Sequence, residues 1–469
     1  MNTNTDILHG GHPLQPGKDA KLSAVYFLGI GGIGMSALAR YFQSRGVRVS
    51  GYDKTPTVLT QQLQSEGIAI HFEDNVALLD EAADMVVYTP AIPGTHTELN
   101  FYREKNFRML KRSQVLGLIT QNNFNVCVAG THGKTTTSAM IAHLLRDTGY
   151  GCNAFLGGIA SNYNTNFWSS PKNVCVAEAD EYDRSFLQLT PDMAVVTSMD
   201  PDHLDIYGTA EKMEDAFVEF TNKIKTGGLL ISKVGLSRTP DFKASNKMTY
   251  AATDSAADAF ATNIRMVNGS YIFDVKIRKA AINNVELNMG GSHNIENAIA
   301  AITVASQLQI DPDKIKAAVK SFAGVKRRFE YIIKTGTEVM IDDYAHHPEE
   351  LRALINSAKS LFPGKKCTVI FQPHLFSRTK DLADDFASVL SIADEVILLP
   401  IYPARELPVA GVSSQMIWDR MTNPAKSILE KPELLEWINA NKTELLITSG
   451  AGDIDSLVQP IKDIIVNRS

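Results

Sequence analysis

Short, wholly apolar runs alternate along this chain with longer stretches in which apolar residues recur every three to four positions. The first kind reads as strands buried on both faces, the second as helices packed against them. Residues 24–28 form an apolar run, 33–45 carry helical spacing, and 47–52 form a second run. Another run, 85–88, precedes a turn at Pro90-Ala91-Ile92-Pro93-Gly94. The pattern restarts near Asn125, with apolar runs at 174–177, 193–198 and 228–232. Between 248 and 289 apolar and polar residues alternate in short pieces, which predicts an antiparallel excursion. Helical spacing returns over 295–308, after Gly290-Gly291. A last stretch starts near 325–330 and carries runs at 339–342, 367–371, 395–400 and 445–448. Strand–helix alternation of this kind predicts an α/β protein of three successive units. The expected limits are 21–120, 121–326 and 327–469, preceded by a loose polar arm over 1–20 that contains Gly10-Gly11 and two prolines.

Composition changes little in that picture. At 469 residues the chain exceeds one ordinary core, and 44% hydrophobic with 21% charged residues is globular. A net charge of −6 implies no sequence-independent grip on nucleic acid. Cys127, Cys152, Cys175 and Cys367 show no metal-binding spacing and read as small core hydrophobes in a reducing compartment. No signal peptide is evident. No apolar run approaches the roughly 18–20 residues of a membrane span, so a soluble cytoplasmic protein without membrane insertion is expected.

Candidate chemistry concentrates where apolar runs end. The run 125–129 leads into Gly130, Thr131, His132, Gly133, Lys134, Thr135 and Thr136, and helical spacing follows over 138–146. Strand, glycine turn, Lys-Thr, helix is the layout of a phosphate cradle. Backbone N–H groups and the helix N-terminus face the anion, the lysine reaches the terminal phosphates, and the hydroxyl can hold Mg²⁺. The general pattern asks for a glycine at 128, where this chain has Val128.

A second glycine turn, with Gly29, Gly31, Gly32 and Gly34, follows the first run, and Asp53 ends the next one. Its G-x-G-x-x-G spacing in βαβ context suits a pyrophosphate-containing ligand, with Asp53 meeting a ribose or similar group. A nicotinamide dehydrogenase explains this turn but leaves Lys134 without a role. Glu178 stands at another strand end near the phosphate turn, where Mg²⁺ wants hard oxygen ligands. Asp180, Glu181 and Asp183 after it read more as a solvated acidic loop. His203 reads equally as a second-metal ligand or a loop histidine. Asn294 and Asn297 can pair with an adenine edge or cap a helix. Arg327 and Arg328 can clamp phosphate or lie on the surface. The sets 342–348 and 371–379 place Asp343, His346, His347, His374 and Arg378 after strand ends, and the second suits binding of a carboxylate.

Taken in order, these segments resemble the Mur ligases over essentially the whole chain. The resemblance rests on Gly29–Ser36 (GIGGIGMS), Gly130–Thr137 (GTHGKTTT), Glu178–Asp183 (EADEYD), Asp202–Tyr207 (DHLDIY), His293–Asn297 (HNIEN), Gly324–Phe329 (GVKRRF), Asp343–Pro348 (DYAHHP), Phe371–Thr379 (FQPHLFSRT) and Gly450–Ile454 (GAGDI). It implies a Rossmann-like N-terminal domain for a UDP-sugar, a P-loop-type central ATPase domain with a mixed sheet, and a Rossmann-like C-terminal domain for an amino acid. The family's phosphate turn lacks the early glycine, which accounts for Val128. The implied reaction joins L-alanine to the lactyl carboxylate of UDP-N-acetylmuramate through an acyl phosphate, driven by ATP.

The same resemblance implies roles for residues. Thr135 and Glu178 hold one Mg²⁺, and Glu178 and His203 a second; Mn²⁺ can substitute. His293, Asn294 and Asn297 lie around adenine, Asp343 near the ribose, and Arg328 near the phosphates. His346, His347, His374 and Arg378 handle the amino acid and the intermediate. Departures from the family pattern are Tyr182 in place of a serine and the segment 401–406 in place of a tyrosine-rich one. Ile33 favours alanine addition over the murein-tripeptide recycling activity of a related ligase, whereas Tyr182 resembles the latter. A monomer and a homodimer both remain open.

Overall fold

A computed structural model describes residues 22–121, 123–404 and 406–468. The expected N-terminal arm and Arg405 lie outside the described residues. Three sheets succeed one another along the chain. The first comprises β1 (Ala24–Leu28), β2 (Arg48–Tyr52), β3 (Ala69–His71), β4 (Met85–Tyr88) and β5 (Met109–Lys111), in the order β3-β2-β1-β4-β5 and parallel throughout.

The second sheet holds β6 (Phe124–Ala129), β7 (Asn153–Ala160), β8 (Thr165–Trp168), β9 (Val174–Ala179), β10 (Met193–Val196), β11 (Leu229–Lys233), β12 (Asn246–Tyr250), β13 (Ala259–Val267), β14 (Ser270–Ile277) and β15 (Ala280–Leu287). Their order is β15-β14-β13-β12-β11-β10-β6-β9-β7-β8. The six strands from β12 to β7 run parallel, and β8 pairs antiparallel with β7. Two-residue connections between β13, β14 and β15 allow only antiparallel hairpins, so the mixed sheet and the expected excursion are both present. That excursion starts later than expected, because residues 248–250 belong to the parallel strand β12.

The third sheet holds β16 (Glu330–Lys334), β17 (Val339–Asp343), β18 (Cys367–Phe371), β19 (Glu395–Leu398), β20 (Ala425–Ile428) and β21 (Leu445–Ser449), ordered β16-β17-β21-β18-β19-β20. Only its edge strand β16 is antiparallel.

The described residues divide into two compact units. One holds the chain to Ala261 with 275–282 and 296–319; the other holds 262–274, 283–295 and 320–469. Interior strands such as β6, β9 and β10 are almost wholly buried, which is why they read as continuous apolar runs. Strands the pattern did not announce are short or irregular. β3 and β5 have three residues each, and β7 carries Gly157-Gly158 within it. Two helices begin earlier than their apolar spacing predicts, at Lys134 and His293, because their first turns are polar. All four cysteines are buried and unpaired. Among the described residues no helix is long and apolar enough to cross a membrane.

Candidate active site

Parallel pairing brings several chemically active strand ends to one edge of the second sheet. Val128 of β6 stands opposite Glu178 of β9, and Ala129 opposite Val196 of β10. Gly130, Glu178 and Thr197 therefore emerge side by side at the carboxyl ends of adjacent strands, where doubly wound sheets hold ligands. Gly130 has φ +137°, and a Cβ there would lie 2.1 Å from Thr197 Oγ1, so the turn takes this path only with glycine. Gly133, with φ 81°, caps the helix Lys134–Asp147, whose first turn carries no acidic residue and no side-chain cap. Its N-terminal N–H groups are thus available to an anion.

The turn is braced by the loop after β10. Ser198 Oγ accepts the His132 backbone N–H at 2.7 Å and lies 2.9 Å from Thr131 Oγ1. Thr197 Oγ1 donates to His132 O at 2.5 Å. Asn297 Oδ1 accepts from Thr137 Oγ1 at 3.1 Å and lies 2.8 Å from the position of a Cβ on Gly133. Asn297 thus packs against the phosphate turn itself.

Lys134 does not project freely into the cradle. Its ammonium donates to Gly130 O at 2.7 Å and to Glu181 Oε1 at 2.8 Å. Glu181 is fully buried, and its Oε2 is a buried atom without a hydrogen-bond partner. Burial pushes its carboxyl above the ordinary range, with the Lys134 charge opposing. The reading of Glu181 as part of a solvated loop is therefore wrong. Asp180 and Asp183 are partly exposed, but both are paired, with Arg112 at 3.4 Å and Lys111 at 3.0 Å.

Glu178 accepts from Thr135 Oγ1 at 3.2 Å and from the Gly157 N–H at 3.1 Å. A hydroxyl and a carboxylate held together beside the phosphate turn are the oxygen donors Mg²⁺ prefers, so these residues fit that ion. His203, about one-third exposed and with φ 50°, has Nε2 3.7 Å from Asp202 Oδ2 and meets the Tyr182 ring edge-on at 5.3 Å.

At the end of β1, the N–H groups of Gly29 and Ile30 bond to Tyr52 O, and the Gly31 N–H donates to Asp53 Oδ2 at 2.7 Å. Asp53 thus closes the first glycine turn from the end of β2. Gly32 caps the helix Ile33–Ser44 without a side-chain partner, leaving another anion-ready N-terminus.

In the other unit, Asp343 ends β17 and accepts N–H groups from Phe329 at 2.6 Å and Ala345 at 2.7 Å. Burial lifts its carboxyl to about 6, against those bonds and the Arg328 charge. The neighbouring Asp342 is buried between Arg327 and Thr448 and is lifted to about 7 by the same cause. Arg327 is therefore a buried-pair partner and not a surface charge. His346 and His374 approach to 6.1 Å between ring centroids, and Arg378 Nη1 lies 3.5 Å from His374 Nδ1. Partial burial, Arg378 and His346 hold His374 below the ordinary histidine value. Glu350 Oε2 accepts the backbone N–H groups of His346 and His347, fixing the start of the helix Pro348–Leu361. Asn294 donates to Gly290 O at 2.6 Å, and His293 is exposed.

Three sheets with a lysine-bearing phosphate turn and a carboxylate at the adjoining strand end define an α/β protein of the P-loop type, built to hold a nucleotide's phosphates. The chain belongs to the Mur ligase family. Residues 24–123 match the Mur ligase family catalytic domain, 128–305 the Mur ligase middle domain, and 327–452 the Mur ligase glutamate ligase domain. It is 52% identical over 455 residues to a UDP-N-acetylmuramate–L-alanine ligase of Parabacteroides distasonis, covering 96% of this chain and 98% of that one. The crystal structure of the UDP-N-acetylmuramate–alanine ligase of Thermotoga maritima matches with a TM-score of 0.80 at 28% identity, over 95% of this chain and 98% of that one. A murein peptide ligase of Psychrobacter arcticus shares the fold, with a TM-score of 0.65 at 22% identity over 95% and 99%.

Proposed function

We infer that this chain is an ATP-dependent ligase that joins L-alanine to the lactyl carboxylate of UDP-N-acetylmuramate, a step of peptidoglycan precursor synthesis. The observation that carries this reading is the 52% identity, across 96% of the chain, to a relative bearing that name. The three sheets take separate tasks in it. Residues 21–120 bind the UDP-sugar at Gly29–Gly34, residues 121–326 bind ATP at Gly130–Thr136, and residues 327–469 bind the amino acid.

The carboxylate oxygen of the lactyl group attacks the γ-phosphorus, ADP leaves, and an acyl phosphate forms. The deprotonated amine of L-alanine then attacks the acyl carbon, and phosphate leaves from the tetrahedral intermediate. Two anions must meet in the first step, so charge neutralisation and positioning dominate. Lys134 reaches the terminal phosphates by leaving Glu181, while the turn N–H groups hold the remaining oxygens. Thr135 and Glu178 would hold one Mg²⁺, and Glu178 and His203 a second; when bound, these ions add positive charge at the phosphates. Arg378 and His374 are suited to the alanine carboxylate; in the free chain, partial burial and the Arg378 charge hold His374 below the ordinary histidine value.

An ADP-release assay with UDP-N-acetylmuramate and a panel of amino acids tests the reading. L-Alanine is expected to drive turnover. Turnover with a murein tripeptide and none with alanine would replace this reading by the recycling ligase, the alternative that Tyr182 favours. NADH binding without substrate-dependent ADP release would instead support a dehydrogenase.

A further inference from the structure

Glu181 touches neither phosphate nor amino acid in the proposed reaction, yet its surroundings are unusual. It lies in an acidic run, is fully buried, and spends one oxygen on Lys134 at 2.8 Å while Oε2 has no partner. Lys134 is the side chain that the triphosphate requires. Removing one partner from a buried ion pair leaves an uncompensated charge and is strongly unfavourable. A second positive charge at Glu181 would offset that cost when Lys134 moves to the phosphates. The structure supplies a place for one. Among the described residues, Glu181, Asp202 and His203 each offer a donor atom within 4.8 Å of the other two.

We propose that Glu181 is a shared anion for which Lys134 and a divalent cation compete. Lysine holds it in the free enzyme. The cation, completed by Asp202 and His203, takes it when Lys134 turns to the triphosphate. Metal loading and lysine release are then one exchange, and the phosphate turn acquires its lysine only when metal is present. The proposal rests on the reading of His203 as a metal ligand and of Lys134 as the phosphate-binding lysine.

Mn²⁺ titrated into the full-length protein without nucleotide, followed by loss of the free-ion EPR signal, tests it. Lys134→Met removes the competitor and is expected to tighten Mn²⁺ binding roughly tenfold, the size of one charge-assisted hydrogen bond. Glu181→Gln removes the shared anion and should weaken binding by a similar factor. The double variant should behave like Glu181→Gln. Circular dichroism melts establish that each variant is folded. If Lys134→Met does not fold, Glu181→Gln carries the test, and unchanged affinity in it overturns the proposal. Parent-like affinity in both single variants, with binding lost in His203→Ala, leaves His203 a metal ligand and refutes the exchange. If His203→Ala is silent as well, the reading of the metal site falls with it.

Discussion

Glu178 Oε2 accepts the backbone N–H of Gly157 at 3.1 Å, and a Cβ on Gly157 would lie 2.1 Å from that same oxygen. The carboxylate thus rests directly on the backbone of β7, held there by the absence of a side chain. Its other oxygen faces Thr135. The pair explains why β7 carries a glycine in the middle of a strand, where glycine otherwise weakens the ladder.

Gly157→Ala is expected to displace Glu178 from Thr135 while leaving the sheet paired. In the ADP-release assay kcat should fall by about tenfold or more, because the carboxylate beside the phosphates no longer sits where the transition-state charge needs it. Binding of UDP-N-acetylmuramate, measured by calorimetry, should stay close to the parent value. An unchanged kcat would show that Glu178 is free to shift without consequence.

Lys134→Ala should abolish measurable turnover and spare UDP-sugar binding, because the first glycine turn closes on Asp53 and Tyr52 and not on Lys134. It also leaves Glu181 buried without its cation. A destabilisation of about 3–5 kcal/mol is the usual size for such a broken pair. Lys134→Ala/Glu181→Gln should recover much of that stability in a thermal melt, without recovering turnover. Recovery of turnover would remove Lys134 from the chemistry.

Ser198→Ala takes away the acceptor of the His132 N–H and the partner of Thr131 Oγ1. Neutral hydrogen bonds of this kind contribute about 1 kcal/mol each. The phosphate turn should loosen, raising KM for ATP by about fivefold to tenfold, with KM for L-alanine unchanged. Equal changes in both constants would mean the bracing is not specific to the nucleotide.

The phosphate turn was legible because its chemistry is local. Gly130, Gly133, Lys134 and Thr135 sit within six residues, between an apolar strand and a helix. The same holds for the turn at Gly29–Gly34. Glu181 was not legible. Nothing in Glu-Ala-Asp-Glu-Tyr-Asp separates the buried glutamate from its solvated neighbours, since its burial depends on a lysine 47 positions away. Ser198 and Gly157 were missed for the same reason. Their partners lie 66 and 21 residues off, and only the parallel pairing of β6, β9, β10 and β7 brings them together. Strands β3, β5 and β16 escaped because short or half-exposed strands carry no continuous apolar run.

Asp342 offers a test of pH dependence away from the phosphate turn. Its carboxyl is lifted from an ordinary 3.8 to about 7, chiefly by burial, with Arg327 and Thr448 opposing. Between those two values the folded state holds the proton and the unfolded state does not. Stability attributable to this group is then fully present below about 4 and is lost as pH rises toward 7. Asp342→Asn carries no such proton and can still accept from Thr448. The melting temperature of the variant, relative to the parent, should therefore be higher at pH 8 than at pH 4. A difference that does not vary with pH would mean that the Arg327 charge keeps Asp342 ionised throughout, and that the burial of this carboxylate is fully compensated by its ion pair.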